Sequence, residues 1–294
     1  MNASYLYLNG LRVHYLHESG AGGPPIVLLH GLASNARIWE KTAPTLAAGG
    51  FELFAPDMRG HGLSDKTDGD YGFPTHRADL AHFIRALDLE HPMLVGHSWG
   101  AAVALDYAAA FAVGPLAPSG IALVDGADIQ MNQIPGATWE SMRQRLTPPS
   151  MAGTPVEDFT AMLENPGRAW QPDEQDISII LANFELDEQE CIHPRLTLER
   201  HMQIVRAMWT FETIELYRKI ACPALLLPAQ PPQPRSAQEE EHLAIKRQAI
   251  ERIQGTNTQV TVSWLMDTVH DAPLQRPDMV AQKLFSFARQ IFTV

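Results

Sequence analysis

The strongest chemical signal in the sequence is a serine flanked by two glycines, Gly96-His97-Ser98-Trp99-Gly100. It follows the apolar run 93–95 and precedes an Ala-rich segment, 101–111, whose composition favours a helix. A strand, a sharp turn and a helix are the context that a G-x-S-x-G motif requires. Glycines are expected beside the serine because so tight a turn leaves no room for side chains there. The pattern predicts that Ser98 stands at the mouth of a pocket, where the N-terminus of the next helix offers N–H donors to a developing oxyanion.

A histidine late in the chain is placed to act as general base for this serine. His270 is one of 12 histidines, and it follows the apolar pattern 259–265, which predicts the last strand. The base of a G-x-S-x-G hydrolase comes late in chain order. Ser98 and His270 together predict acyl transfer, in which the serine attacks a carbonyl carbon and the histidine accepts its proton.

Three further segments support this interpretation: His30-Gly31-Leu32 after the third predicted strand, Asp57 to Asp65 after the fourth, and Val269 to Pro273 after the last. With the serine motif, they make the chain resemble the capped branch of the α/β-hydrolase superfamily, which contains esterases, lactonases, haloperoxidases and dehalogenases. The resemblance covers nearly the whole chain outside the cap. We interpret the segment from Asp57 to Asp65 as a structural turn rather than as a source of reacting groups.

The resemblance also implies roles for residues beside these motifs. The backbone N–H groups of Leu32 and Trp99 are expected to form an oxyanion hole. Both residues are also expected to contact the substrate, Trp99 because its position is fixed by the serine turn. The motif histidines His30, His61 and His97 are expected to orient loops.

The carboxylate that should orient His270 is not where most capped members have it. They place an Asp after the strand that corresponds to 224–227, and here the sequence that follows is Pro-Ala-Gln-Pro-Pro-Gln-Pro. Asp125 ends the preceding strand pattern, where haloalkane dehalogenases and some esterases carry their acid. We therefore predict Asp125 as the acid. The second choice is one of three glutamates that suit the first turn of a helix, and the third choice is Asp128. Those glutamates are Glu239, Glu240 and Glu241.

The type of nucleophile separates related reactions. Dehalogenases and epoxide hydrolases of this fold use a carboxylate, whereas this chain has serine at that place. The sequence therefore predicts hydrolysis of a carboxylic ester or lactone through an acyl-enzyme. Two alternatives stay open: a ligand-binding or signalling protein with little turnover, and cofactor-free perhydrolysis or carbon–carbon bond hydrolysis in the same site.

The elements that must position these residues follow from hydrophobic patterns. Asn9-Gly10 between strand-like segments indicates a two-residue hairpin. Short apolar runs such as 25–29 and 92–95 indicate strands that are buried on both faces of a parallel sheet. Apolar residues at helical spacing indicate helices at 75–89 and near the C-terminus. We predict an α/β fold with a mostly parallel, eight-stranded sheet flanked by helices.

One stretch interrupts this alternation of strands and helices. We assign residues 1–128 and 212–294 to the core domain and residues 129–211, rich in Pro, Met, Trp and acidic residues, to an inserted helical cap. The cap should select a small, mainly apolar substrate, and Trp139 and Met142 are its predicted substrate-binding residues.

Composition excludes several classes of function. The 294 residues carry a net charge of −12, which disfavours nucleic acid and anionic membranes as partners. Cys191 and Cys222 match no metal-ligand spacing and are expected to be free thiols. No metal or other cofactor is expected. The start of the chain, 1–16, has neither a signal-peptide pattern nor a spanning segment, so we expect a soluble cytoplasmic protein.

Overall fold

The computed structural model describes residues 1–293, along which thirteen strands and eleven α-helices are formed. The strands are β1 (Asn2–Leu8), β2 (Leu11–Glu18), β3 (Pro25–Leu29), β4 (Glu52–Pro56), β5 (Met93–His97), β6 (Gly120–Val124), β7 (Thr154–Pro155), β8 (Phe184–Leu186), β9 (Cys191–Pro194), β10 (Ala224–Leu227), β11 (Ala229–Gln230), β12 (Val260–Val262) and β13 (Leu265–Met266). The helices are α1 (Ala43–Ala48), α2 (Phe73–Ala86), α3 (Trp99–Ala110), α4 (Trp139–Leu146), α5 (Val156–Leu163), α6 (Glu174–Leu181), α7 (Leu198–Trp209), α8 (Thr213–Lys219), α9 (Ala237–Thr256), α10 (Ala272–Gln275) and α11 (Pro277–Phe292).

Eight strands form the central sheet, in the order β1-β2-β4-β3-β5-β6-β10-β12. The β1–β2 and β2–β4 pairs are antiparallel, and the remaining neighbours are parallel. The predicted α/β fold with a mostly parallel, eight-stranded sheet is confirmed. The hairpin turn is also confirmed, since Asn9 and Gly10 have φ angles of 49° and 81° and a two-residue hairpin of this type needs positive φ at both positions.

Both faces of the sheet are covered, as the continuous apolar strands require. Along β3, Ile26 and Leu28 pack into one core, with α1 and α11, while Val27 and Leu29 pack into the other, with α2 and α3. The carboxyl ends of β5 and β6 lie side by side. The residues that follow these two strands, Ser98 and Asp125, therefore meet at one edge of the sheet.

The last predicted strand is divided. β12 completes the central sheet, whereas β13 pairs with β11 in a separate two-stranded parallel sheet. This small sheet holds the segment after β10 against the segment that leads to His270.

The cap segment, defined as residues 129–211, contains α4 to α7 and a three-stranded antiparallel sheet with the order β7-β9-β8. The insertion therefore contains four α-helices, and its three short strands are additional to the predicted helical pieces. These strands are two to four residues long, which is too short for alternating hydrophobicity to indicate them. Hydrogen bonds from Asn35 Nδ2 to the Ile179 carbonyl (3.0 Å) and to Asn183 Oδ1 (2.6 Å) attach the segment to the core.

Two further features concern the described residues as a whole. Among residues 1–293 no helix has both the length and the apolar character needed to cross a lipid bilayer. Cys191 and Cys222 are free thiols, as predicted, and burial raises the pKa of Cys222 to about 11.

Candidate active site

Ser98 occupies a strained turn between β5 and α3. Its φ and ψ angles are 54° and −118°, a backbone conformation that residues other than glycine rarely adopt. A Cβ at position 96 would overlap the carbonyl of Gly100, and one at position 100 would overlap the carbonyls of Leu29 and His30. The glycines flanking the serine are therefore required by close backbone contacts, and the turn presents the serine hydroxyl at the start of a helix.

The structure brings Ser98 and the predicted base together, although 172 residues separate them in sequence. His270 Nε2 lies 2.9 Å from Ser98 Oγ, which is hydrogen-bonding distance. On the other side of the ring, His270 Nδ1 lies 2.7 Å from Asp125 Oδ2. A serine, an imidazole and a carboxylate thus form one continuous hydrogen-bonded chain.

The structure places Asp125, and none of the three alternative glutamates, beside His270. Asp125 has a φ of 44° and directs its second oxygen, Oδ1, toward the Ala229 N–H at 2.8 Å and Lys246 Nζ at 2.6 Å. Burial alone would raise the pKa of Asp125, but the hydrogen bond from His270 and the charge of Lys246 hold it well below its ordinary range. The carboxylate is therefore ionised and fixed in orientation.

The glutamates at the start of α9 have other roles. Glu239 accepts hydrogen bonds from the backbone N–H (2.7 Å) and hydroxyl (2.7 Å) of Ser236 and so caps the helix. Glu240 pairs with Arg235 at 3.0 Å, and Glu241 is exposed at the helix surface. The third choice, Asp128, lies nearby with its Oδ2 3.8 Å from Lys246 Nζ.

Burial and the neighbouring Asp125 have opposite effects on the pKa of His270. Partial desolvation lowers the pKa of His270, but the hydrogen bond and negative charge of Asp125 raise it above the ordinary value. A raised pKa means that the imidazole becomes neutral, and able to accept a proton, only as the pH rises through that value.

Two backbone N–H groups beside Ser98 lack a hydrogen-bond acceptor within residues 1–293. They belong to Trp99, the first residue of α3, and to Leu32, which follows Gly31. The turn at Gly31 touches the serine, because a Cβ at position 31 would lie 3.2 Å from Ser98 Cβ. Free amides in these positions suit the binding of a negatively charged oxygen.

The motif histidines hold loops, as the sequence predicts. The Met58 N–H donates to His30 Nε2 at 2.9 Å, and the Ala33 N–H donates to His61 Nε2 at 3.2 Å. Burial and the charge of His270 lower the pKa of His97 to about 4, and its Nε2–H donates to the His270 carbonyl at 2.8 Å. Each of these rings orders backbone around the serine turn.

The turn from Asp57 to Asp65 is structural. The Asp57 carboxylate accepts hydrogen bonds from the N–H groups of Ala36 (2.7 Å) and Leu63 (2.8 Å), and it contacts His14 Nδ1 at 2.7 Å. Arg59 forms an ion pair with Asp79 at 2.7 Å. These contacts join the turn to the neighbouring loops.

Ser98 opens into a cavity of about 270 Å³, here called the serine cavity. Its walls combine apolar side chains with charged or titratable ones near His270, and among them are Met142, Met208, Phe211, Arg145, His242 and Lys246. A second cavity, of about 660 Å³, lies between the turn at Ala33 and the cap segment. Pro148, Phe184 and Leu196 are among its apolar walls.

Four residues were predicted to bind the substrate. Only one of them, Met142, lines the serine cavity. The Trp99 indole is 1% exposed and stacks on His61 at 5.3 Å, because the serine turn directs it into the core. Trp139 packs instead against Trp209 (6.4 Å) and beneath Arg206 (4.5 Å). The Leu32 side chain is half-buried and belongs to the core on the α2–α3 side of the sheet. The side chains of Trp99, Leu32 and Trp139 therefore do not line the serine cavity, and their contact with substrate stays a prediction.

Sequence reasoning missed Lys246, a buried cation in contact with Asp125. A signal for it exists in α9, where the buried residues are Leu243, Lys246, Ile250 and Ile253. Spacings of three and four residues put this lysine on the apolar face of the helix. A lysine on such a face needs a buried anion as its partner.

Residues 1–293 contain no group of three His, Cys, Asp or Glu side chains that is arranged to hold a metal ion.

The amino-acid sequence matches a known protein family. Residues 24–168, about half of the chain, match the family model described as the alpha/beta hydrolase fold. A haloalkane dehalogenase of Mycobacterium marinum is 40% identical over 101 residues, which are 34% of this chain and 34% of that protein. The chain matches only about a third of the length of such curated relatives.

Solved structures resemble the chain over nearly its whole length. The structure of E-2-(acetamidomethylene)succinate hydrolase has a TM-score of 0.78 at 20% identity and covers 98% of each chain. The enol-lactonase from Burkholderia xenovorans LB400 has a TM-score of 0.71 at 18% identity, covering 97% of this chain and 99% of that one. The chain therefore has the α/β-hydrolase fold and belongs to the α/β-hydrolase superfamily.

Proposed function

We propose that this protein is a serine hydrolase that cleaves a carboxylic ester or lactone of a small, mainly apolar substrate. One observation carries the proposal: Ser98 Oγ, His270 and Asp125 are linked by distances of 2.9 and 2.7 Å at a serine held in a strained turn. Nucleophile, base and orienting acid are the parts that acyl transfer by serine needs.

The proposed reaction has two halves. Ser98 Oγ attacks the substrate carbonyl carbon while its proton passes to His270 Nε2, and the carbonyl oxygen becomes an oxyanion that accepts hydrogen bonds from the Leu32 and Trp99 amides. Collapse of this intermediate breaks the bond to the leaving oxygen, which takes the proton from His270. An ester thereby releases an alcohol, whereas the hydroxyl group of an opened lactone stays attached to the acyl group. Water then attacks the acyl-serine carbonyl carbon and loses a proton to His270. Collapse of this second intermediate breaks the bond to Ser98 Oγ, which takes that proton back, and the acid is released.

The identity of the nucleophile argues against the reaction of the dehalogenase relative. A carboxylate nucleophile displaces halide to form an alkyl ester, which water then hydrolyses, whereas a serine would form a stable ether. Position 98 is serine, so hydrolysis of an acyl group is the supported chemistry. The solved relatives named as a hydrolase of a succinate derivative and as an enol-lactonase are compatible with such chemistry.

A substrate panel tests the proposal. Chromogenic esters of graded chain length, lactones and a haloalkane are incubated with the protein, and product acid or halide is measured. We expect turnover of at least one ester or lactone without halide release, and covalent labelling of Ser98 by a fluorophosphonate, located by mass spectrometry. Absence of both turnover and labelling would overturn the proposal.

The shape of the site suggests how the substrate is selected. Met142, Met208 and Phe211 give the serine cavity an apolar wall, and burial of matching apolar substrate groups supplies binding free energy. Arg145 in α4 lines the same cavity, and within residues 1–293 it has neither a hydrogen-bond nor an ion-pair partner. An apolar substrate that carries one carboxylate would complement both features.

We expect Arg145→Met to lower kcat/KM about tenfold for an ester with a carboxylate on its acyl part, because a charge-assisted hydrogen bond is lost. A neutral ester of the same shape should react unchanged. Arg143→Met is the matched control, since Arg143 in the same helix pairs with Glu140 at 2.7 Å. Equal losses on the charged and neutral esters would contradict this role of Arg145.

A further inference from the structure

The acid of the hydrogen-bonded chain lies against a buried lysine. Lys246 Nζ is 2.6 Å from Asp125 Oδ1 and 3.8 Å from Asp128 Oδ2. The side chains of Lys246 and Asp125 are only 8% and 6% exposed. A buried ammonium group is costly unless it is paired, so the pairing fixes where the lysine and both carboxylates lie.

The contacts of Asp125 divide between its two oxygens. Oδ1 is occupied by Lys246 and by the Ala229 N–H, which leaves Oδ2 for His270 at 2.7 Å. The lysine therefore holds the carboxylate in the rotation that directs Oδ2 at the imidazole. The proposed reaction does not itself use this cation.

A positive charge in this place also affects His270. The charge of Lys246 opposes protonation of the imidazole and lowers the pKa of His270. The negative charge of Asp128 favours protonation and raises that pKa. Burial and the charge of Asp125 raise the pKa of Asp128, while Lys246 lowers it. Lys246 is among the main influences on the pKa of His270 and Asp128 is not, so Asp128 is the weaker of the two. The other titratable or charged groups that face His270 or line a cavity with it are Asp125, Asp271, His97, His242, Glu239 and Arg145.

We propose that Lys246 and Asp128 are a pair of opposed positioning residues that set the pH range in which His270 can accept the Ser98 proton. Lys246 orients Asp125 and favours the neutral imidazole, which extends activity toward acidic pH. Asp128 balances the buried lysine and limits this extension. The inference rests on the proposed serine chemistry.

The test measures the rate at which a fluorophosphonate labels Ser98 as a function of pH. For Lys246→Met, we expect the rate at about pH 6, relative to that at about pH 8, to fall roughly threefold, because more of the imidazole is protonated. For Asp128→Asn the same ratio should rise by a smaller factor. NMR titration of the His270 ring should show a higher midpoint in Lys246→Met and a lower midpoint in Asp128→Asn.

Charge-matched variants separate this role from a purely structural one. Lys246→Arg keeps the cation and should leave the ratio unchanged, and so should Arg247→Met, which removes a neighbouring cation that contacts Gln230. Coincident pH profiles and His270 midpoints in Lys246→Met, Asp128→Asn and the unaltered protein would overturn the inference. If Lys246→Met does not fold, an unshifted or oppositely shifted Asp128→Asn overturns it instead. Failure of the unaltered protein to label at all would overturn the proposed function, which is a distinct outcome.

Discussion

Ser98→Ala is expected to lower kcat/KM for the best ester or lactone by about 10⁴-fold or more, because the nucleophile of the acyl-transfer step is removed. Alanine keeps the Cβ of serine, so the substitution leaves the strain of the unusual backbone conformation at position 98 unchanged. His270 and Asp125 also keep their mutual hydrogen bond. The expected defect is therefore chemical, and the temperature of thermal unfolding should change little.

Ser119→Ala provides the control for this variant. The Ser119 hydroxyl donates to the His91 carbonyl at 2.6 Å, outside the cavity that contains Ser98, and its loss should leave kcat/KM within about twofold of the unaltered value. Fluorophosphonate labelling should persist in Ser119→Ala and disappear in Ser98→Ala. If Ser98→Ala hydrolyses the substrate as fast as the unaltered protein, the serine mechanism is wrong.

Asp125→Asn should have an effect of comparable size, a loss of about 10⁴-fold in kcat, as when the corresponding acid of a serine protease is replaced by its amide. An amide cannot stabilise the imidazolium that forms when His270 accepts the serine proton. It also allows the ring to adopt the wrong tautomer. The measurement is steady-state kinetics on the ester or lactone that the substrate panel identifies.

Glu239→Gln is the matched comparison for the acid. Because Glu239 caps α9 through Ser236, its replacement should leave kcat within about twofold and lower the temperature of thermal unfolding only slightly. Asp125 also pairs with Lys246, so unfolding of Asp125→Asn must be measured in parallel and the kinetics recorded on folded protein. A fully active Asp125→Asn would remove Asp125 from the mechanism.

The two predicted losses differ in how directly the sequence supports them. Ser98 is indicated by neighbours in the chain, since the strand, turn and helix that fix its conformation are continuous from β5 to α3. Asp125 and His270 are 145 residues apart, and the sequence offered several carboxylates for one role. Their proximity depends on the order of strands in the sheet.

Local patterns were sufficient for the features that short-range physical chemistry controls. The hairpin at Asn9-Gly10 follows from the positive φ angles that those residues tolerate. The buried strands follow from continuous apolar runs, and the serine turn follows from two glycines that backbone contacts require. Each of these features is encoded within about ten residues, so a single sequence reveals it.

Long-range packing decided the rest. The Trp99 indole lies in the core, rather than in the cavity, because the turn that exposes Ser98 directs the next side chain inward. Lys246 meets Asp125 across 121 residues, where the burial of one charge is tolerable only because another lies beside it. The sequence by itself determined the fold and singled out Ser98 and His270 as the predicted nucleophile and base. The tertiary structure decided which carboxylate and which cation surround the base, because those choices depend on which charges the folded chain brings together away from water.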